Sequence, residues 1–202
     1  MPGSPLLYTP PAYTAANVLY GVGVLFTAPV GTAVPSDQNL GVGSSWVTGG
    51  WSYIGATEQG LSVTFNPTTT TIRVEEQLTP VAVIVDQVTM EITTSLSEET
   101  LSNVALTYGN AGVIAVTAPG ASQPGKSTLT LSTSFSSLAA AVVGKNQLGF
   151  ARVLSIPIVQ SAGSVKTDYR RSANNRSYPL TLNAVCPTSS ISISDLTAIA
   201  TS

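Results

Sequence analysis

The sequence predicts a mainly β domain with one short helix laid against its sheet. After Trp51, apolar and polar residues alternate, as in Leu61, Val63 and Phe65 or Val81, Val83 and Val85, which is the period of a strand with one covered face. Clusters of Pro, Gly, Ser and Thr punctuate these runs. A single credible helical segment spaces its apolar residues at i, i+3, i+4 and i+7: Leu101, Val104, Ala105 and Tyr108.

The elements follow in order. The first part of the chain is loop-rich around Val18–Phe26, where Val22, Val24 and Phe26 predict one strand. Pro29–Gly50 reads as a long Gly/Pro-rich loop, of a length that is usually functional or mobile. Contact with neighbouring subunits is one reading of it and plain mobility the other. Leu61, Val63 and Phe65 form the next strand, which Asn66-Pro67 is expected to end. Ile72 and Val74 then share one face and Arg73 and Glu75 the other. Thr79-Pro80 interrupts before Val81, Val83 and Val85, and the apolar parity switches after Asp86 to Val88, Met90 and Ile92. That two-to-one slip predicts a β-bulge or a bend.

The helix is expected over about 97–108. Ser95 or Ser97 is the candidate cap, and Ser95 with Glu98 has capping-box spacing. Glu98 and Glu99 suit the positive end of the helix dipole, and Gly109 suits its C-terminus. Beyond it, Leu129, Leu131 and Phe135 alternate. Leu138–Val143 is Ala-rich, which suits a helix, but Val142, Val143 and Gly144 favour a strand. Leu154, Ile156 and Ile158 continue the β pattern. Val165, Thr167 and Tyr169 are expected to pair with Tyr178, Leu180 and Leu182 across Arg171–Ser177. The segment after Pro187 is Ser/Thr-rich and reads as an arm. No repeat of solenoid length is present.

Composition excludes much chemistry. The 202 residues suit one domain, and only 9% are charged, against about 25% in an ordinary soluble domain. So few charges favour an obligate oligomer with much of its surface covered, or a secreted Ser/Thr-rich β-sandwich; composition alone does not separate them. No apolar run reaches the roughly 18 residues of a membrane helix, and Met1–Tyr8 lacks the basic start of a secretory leader. There is no histidine, so Ser–His and Cys–His pairs and His-ligated metals are excluded. The one cysteine, Cys186, has no disulfide partner and suits a small buried hydrophobe. No cofactor is implied. A net charge of −2 argues against tight binding of a nucleic-acid backbone.

Candidate sites are few. Glu75 and Glu76 with Asp86 and Glu91 offer a weak echo of a glycosidase carboxylate pair, but such residues on a hairpin are usually solvated, and no enzyme is expected. Lys166, Arg170, Arg171 and Arg176 gather four of the eight basic residues into eleven positions. With no interleaved aromatics beyond Tyr169 and Tyr178, and with Asp168 among them, they suit inter-subunit pairing better than nucleic acid. Trp46 and Trp51 could supply an aromatic platform if the chain were an adhesin or carbohydrate-binding module.

Several blocks, in order, resemble the tail tube (major tail) proteins of long-tailed bacteriophages. Trp51–Phe65, with G-A-T-E-x-G-L-S-V-x-F, looks like that family's strand-turn-strand block. Ile72–Val81 is similar to its acidic hairpin, and Val88–Gly109 is the nearest match, with strand, helix and terminal glycine in order. Val153–Arg171 and Tyr178–Val185 resemble its closing strands. The resemblance implies a β-sandwich or barrel of the tail tube type over 18–185, flanked by the helix at about 97–108, with an N-terminal arm at 1–17 and a C-terminal arm at 186–202. It implies six copies per ring, an inner β-barrel closed by strands from all six, and rings stacked into a passive conduit for the viral genome. The partners implied are the chain itself, a tape measure, a tail terminator and a distal tail protein, with DNA only in transit and no membrane segment. The place implied is the virion tail, after synthesis in the host cytoplasm. On 70–95, Ile72, Val74, Val88, Met90 and Ile92 would take the core face. Arg73, Glu75, Thr89, Glu91 and Thr93, with Glu76 and Asp86 near the bends, form the outward face, which would line the lumen or else pack on a neighbouring subunit or face the tube exterior. Another virion ring or decoration protein is the alternative within the same class.

Overall fold

The computed structural model describes residues 23–41, 43–75, 79–109, 114–131, 134–161, 163–166 and 177–196. Strand β1 is Val24–Pro29, α1 is Ser45–Thr48, β2 is Ser52–Tyr53, β3 is Thr57–Ile72 and β4 is Ala82–Leu96. Helix α2 is Leu101–Thr107, β5 is Ile114–Thr117, β6 is Lys126–Leu129, β7 is Ser137–Lys145, β8 is Ala151–Ser161, β9 is Tyr178–Ala184 and β10 is Ser192–Asp195. The main sheet runs β2-β1-β7-β8-β9-β4-β3, every pairing antiparallel, with β10 added to β8 beside β9. β5 and β6 form a separate hairpin. The mainly β class expected from the sequence is what the chain adopts, with the expected short helix present as α2 and a second, α1, in addition.

The sheet curls. Its two ends meet where Leu61 of β3 packs over Gly23, just before β1, so that a side chain added at Gly23 would stand 3.2 Å from Leu61 Cδ1. The concave side encloses the larger core: Leu25, Met90, Ile92, Leu96, Ile156, Leu180 and Leu182, closed by Leu106 of α2. The opposite face of β1, β7 and β8 holds a second core, where Phe26, Ala141, Val143 and Val153 are covered by Trp46 and Trp51. Strands buried on both faces read as continuous apolar runs, which is why Leu138–Val143 looked helical by composition. Its three alanines are all buried, and they leave room for the two tryptophans on one side.

Several local expectations change. Trp46 lies in α1, inside what the sequence presents as a loop; its indole N–H donates to the Asp37 carbonyl at 2.9 Å, and Trp51 donates to the Ala33 carbonyl at 2.9 Å. Both rings are buried, Trp46 stacked on Phe26 and Trp51 edge-on to Trp46, so they form no exposed platform. The helix is capped by Thr100, whose hydroxyl accepts from the Asn103 N–H at 3.2 Å. Ser95 cannot cap it, because it is held in the β4–β9 ladder opposite Pro179. The helical stripe is rotated accordingly: Ala105 and Leu106 are buried, Leu101 and Val104 half-buried, and Tyr108 exposed. Gly109 does end the helix, at φ +69, where a side chain would strike the Phe135 ring and the Ser161 carbonyl.

Pro67 does not end its strand. β3 runs through it to Ile72, with Pro67 opposite Val88, and this is tolerated because β3 is the outermost strand of the sheet. Leu131 and Phe135 lie outside β6 and are exposed. Tyr178–Leu182 pairs with Leu96–Ile92 of β4, not with Val165, which belongs to no strand; Thr167 and Tyr169 lie outside the described residues. Pro157 sits in β8 where the ladder skips from Leu138↔Val159 to Ala140↔Ile156, a bulge that accommodates a residue with no N–H. The segment taken from sequence as the C-terminal arm includes β10, fastened to β8 by an ion pair in which Arg152 meets both Asp195 oxygens at 2.5 and 2.7 Å.

Candidate functional site

The β3–β4 hairpin outruns the body. β9 pairs with β4 only over Glu91–Leu96, so among the described residues Ala82–Met90 continues with β3 as its sole neighbour in the ladder. Those nine residues span about 30 Å at 3.3 Å per residue. All of Ser62–Ile72 and Val81–Gln87 is exposed, so the ribbon stands in solvent on both faces.

Up to a bulge at Asp86 the two faces differ in chemistry, and the register defines them; beyond it Ile84, opposite Thr70, and Ile72, opposite Ala82, make the polar face more apolar. Ser62↔Thr93, Thr64↔Glu91, Asn66↔Thr89 and Thr68↔Gln87 stack along one face, a ladder of hydroxyls and amides with one carboxylate. Val63↔Ile92, Phe65↔Met90 and Pro67↔Val88 stack along the other. At Asp86 the ladder slips: Thr68 pairs with Gln87 and Thr69 with Val85. The sequence-predicted bulge therefore exists, and it keeps Val83 and Val85 on the face of Val88 and Met90. Val83, Phe65 and Val85 are 61%, 58% and 55% exposed. A contiguous apolar stripe of this length, rimmed by polar groups, marks a protein interaction surface.

Among the five residues expected in a lumen, Thr89, Glu91 and Thr93 share the hydroxyl face. Arg73 and Glu75 fall beyond the end of β3, at the ribbon's tip, and Glu76 lies outside the described residues. Ile72 and Val74 are exposed, not core, and Ile72, opposite Ala82, has the parity of Thr68 and Thr70. Ser62, Thr64, Asn66 and Thr68 complete the polar face and are absent from the sequence reading, which ends their strand at Asn66-Pro67 and so does not pair it along the whole of β4. Continued alternation through Asn66, Thr68 and Thr70 was the signal available.

The carboxylates do not converge. Asp86 accepts from the Thr70 hydroxyl at the bulge, Glu91 lies about 16 Å further along β4 at 3.3 Å per residue, and Glu75 is at the tip. Among the described residues no group of three or more His, Cys, Asp or Glu side chains is placed to hold a metal ion. Of the basic cluster, Lys166 is exposed, and Arg170, Arg171 and Arg176 lie outside the described residues. No described helix is long and apolar enough to cross a membrane.

Residues 12–143, more than half of the chain and including the whole ribbon, match the family model described as phage tail tube protein. No curated protein matches the chain. A long two-faced ribbon on a β body, together with that match, is the mark of a structural virion subunit that assembles with copies of itself and with other tail proteins: the chain belongs to the phage tail tube protein family.

Proposed function

We propose that six copies of this chain close into a ring, that the ribbons of all six line its bore, and that rings stack head to tail into the conduit through which viral DNA leaves. The exposed apolar stripe of Phe65, Val83 and Val85 carries the reading, since nothing among the described residues covers it and it suits burial against the body of a second copy. The low charge content supports it, because most of each subunit's surface would lie inside a tube wall. Closing the ribbons into a barrel would also remove the free edge of β3.

With the apolar stripe turned to protein, the opposite face, with Thr89, Glu91 and Thr93, is left for the bore. Duplex DNA carries about one negative charge per 1.7 Å, so hydroxyls with an occasional carboxylate would repel it weakly and let it slide. Lys166, Arg170, Arg171 and Arg176 would pair with acidic groups of an adjacent subunit and hold neighbours in register. Tape measure, terminator and distal tail proteins are the further partners, and synthesis is in the host cytoplasm. Negative-stain microscopy of the concentrated chain should show stacked rings of six. Monomers alone, at high concentration and with other virion parts present, would overturn the reading, and a solved tube with Glu91 on its outer wall would overturn the assignment of the bore.

A further inference from the structure

Asp86 is one residue more than the ribbon's ladder requires. Thr68 pairs with Gln87 and Thr69 with Val85, and nothing stands opposite Asp86. Striking it out would leave every cross-strand pair intact: Val85 would still face with Val88, and Thr89 with Asn66. The extra residue is therefore not needed for the pairing of either face. What it changes is shape, since an unopposed residue bends its strand and sharpens the local right-handed twist. Bulges at defined positions are how sheets acquire the curvature needed for closure. The bend is pinned, because the Thr70 hydroxyl donates to Asp86 Oδ2 across it. It also lies beyond Glu91↔Asn183, the last rung shared with β9, so it redirects only the unsupported outer half of the ribbon.

We propose that Asp86 is a bend-setting residue for assembly: it turns the outer ribbon so that the Val83/Val85 stripe follows the curved surface of a second copy of this chain. The inference rests on the ring reading given above. Four full-length chains separate the two: wild type, the deletion of Asp86, Thr70→Val and Asp86→Asn, each checked for folding by thermal melting and then assembled and imaged. Wild type forms tubes, and Asp86→Asn, which keeps an acceptor for Thr70, forms tubes of the same width. The Asp86 deletion melts like wild type but gives no tubes of wild-type width. Thr70→Val raises the protein concentration at which tubes appear about five-fold, the equivalent of one net hydrogen bond. Wild-type tubes accompanied by tubes of the same width from the deletion would overturn the role of the bend. Should the deletion unfold the chain, Thr70→Val decides alone, and an unchanged assembly concentration overturns the proposal. Failure of wild type to form rings or tubes would instead overturn the ring reading, and the inference with it.

Discussion

Glu98 accepts a hydrogen bond from the backbone N–H of Ala56 at 2.8 Å, joining positions 42 residues apart. Gly55 makes this contact possible: its φ is +90, and a Cβ there would lie 2.5 Å from the Glu98 carboxyl carbon. The return bond, Ser97 N–H to the Ala56 carbonyl at 3.0 Å, completes a clasp between the turn before β3 and the approach to α2. Gly55→Ala should therefore cost about 1–3 kcal/mol, from strain at positive φ and the displaced carboxylate. Urea unfolding measures it, and Glu98→Ala should lose less, since it removes a bond but adds no strain.

Trp46 is the second test. Its ring is fully buried against Phe26 and Trp51, and its N–H is satisfied by Asp37. Trp46→Ala should destabilise by about 3–5 kcal/mol, as large-to-small changes in a packed core do. Trp46→Phe keeps most of the volume and should lose distinctly less. If alanine proves neutral in chemical denaturation, the second core is not a core.

The ribbon predicts the opposite behaviour. Phe65 and Val83 are exposed in the single chain, so Phe65→Asp and Val83→Asp should shift its stability by only about 0.5 kcal/mol. The same substitutions should abolish assembly, because each would bury an unpaired carboxylate against a neighbour. Thermal melting and electron microscopy read the two effects separately.

Acid sensitivity follows from two carboxylates. The N–H groups of Asn39 and then Ser45 hold Asp37 below its ordinary 3.8, and the Arg152 guanidinium holds Asp195 below the same value. A lowered carboxyl contributes stability that is complete above its unfolded value and is lost as pH falls through the folded one. Tm should thus stay level from neutral pH down to about 5 and fall below about 4. Asp37→Asn should lower the plateau slightly and flatten the acid limb.

How much of this was legible follows the range of each interaction. The slip at Asp86, the strand at Leu138–Val143 and the Gly109 terminator are local patterns, and each stands where the sequence puts it. The helix cap was not legible, because Ser95 is claimed by Pro179 from far along the chain and Thr100 takes over. Pro67 misled for the same reason, since its effect depends on whether a strand is central or outermost. For the candidate site, alternation located Thr89, Glu91 and Thr93 on one face. It could not show that Ile72 and Val74 stand exposed, because alternation does not record how far a strand reaches beyond the body that would cover it.

A single copy of the chain holds an apolar, open-edged strand pair in water. Such edges recruit any passing strand, and the usual result is disordered aggregate. Pro67 lies midway along that outer edge and withdraws a donor from it, so an unrelated strand finds an interrupted template. On the ring reading proposed above, the newly made subunit would thereby be guarded against indiscriminate zippering, and growth would be left to a partner whose shape matches: the end of a tube already begun.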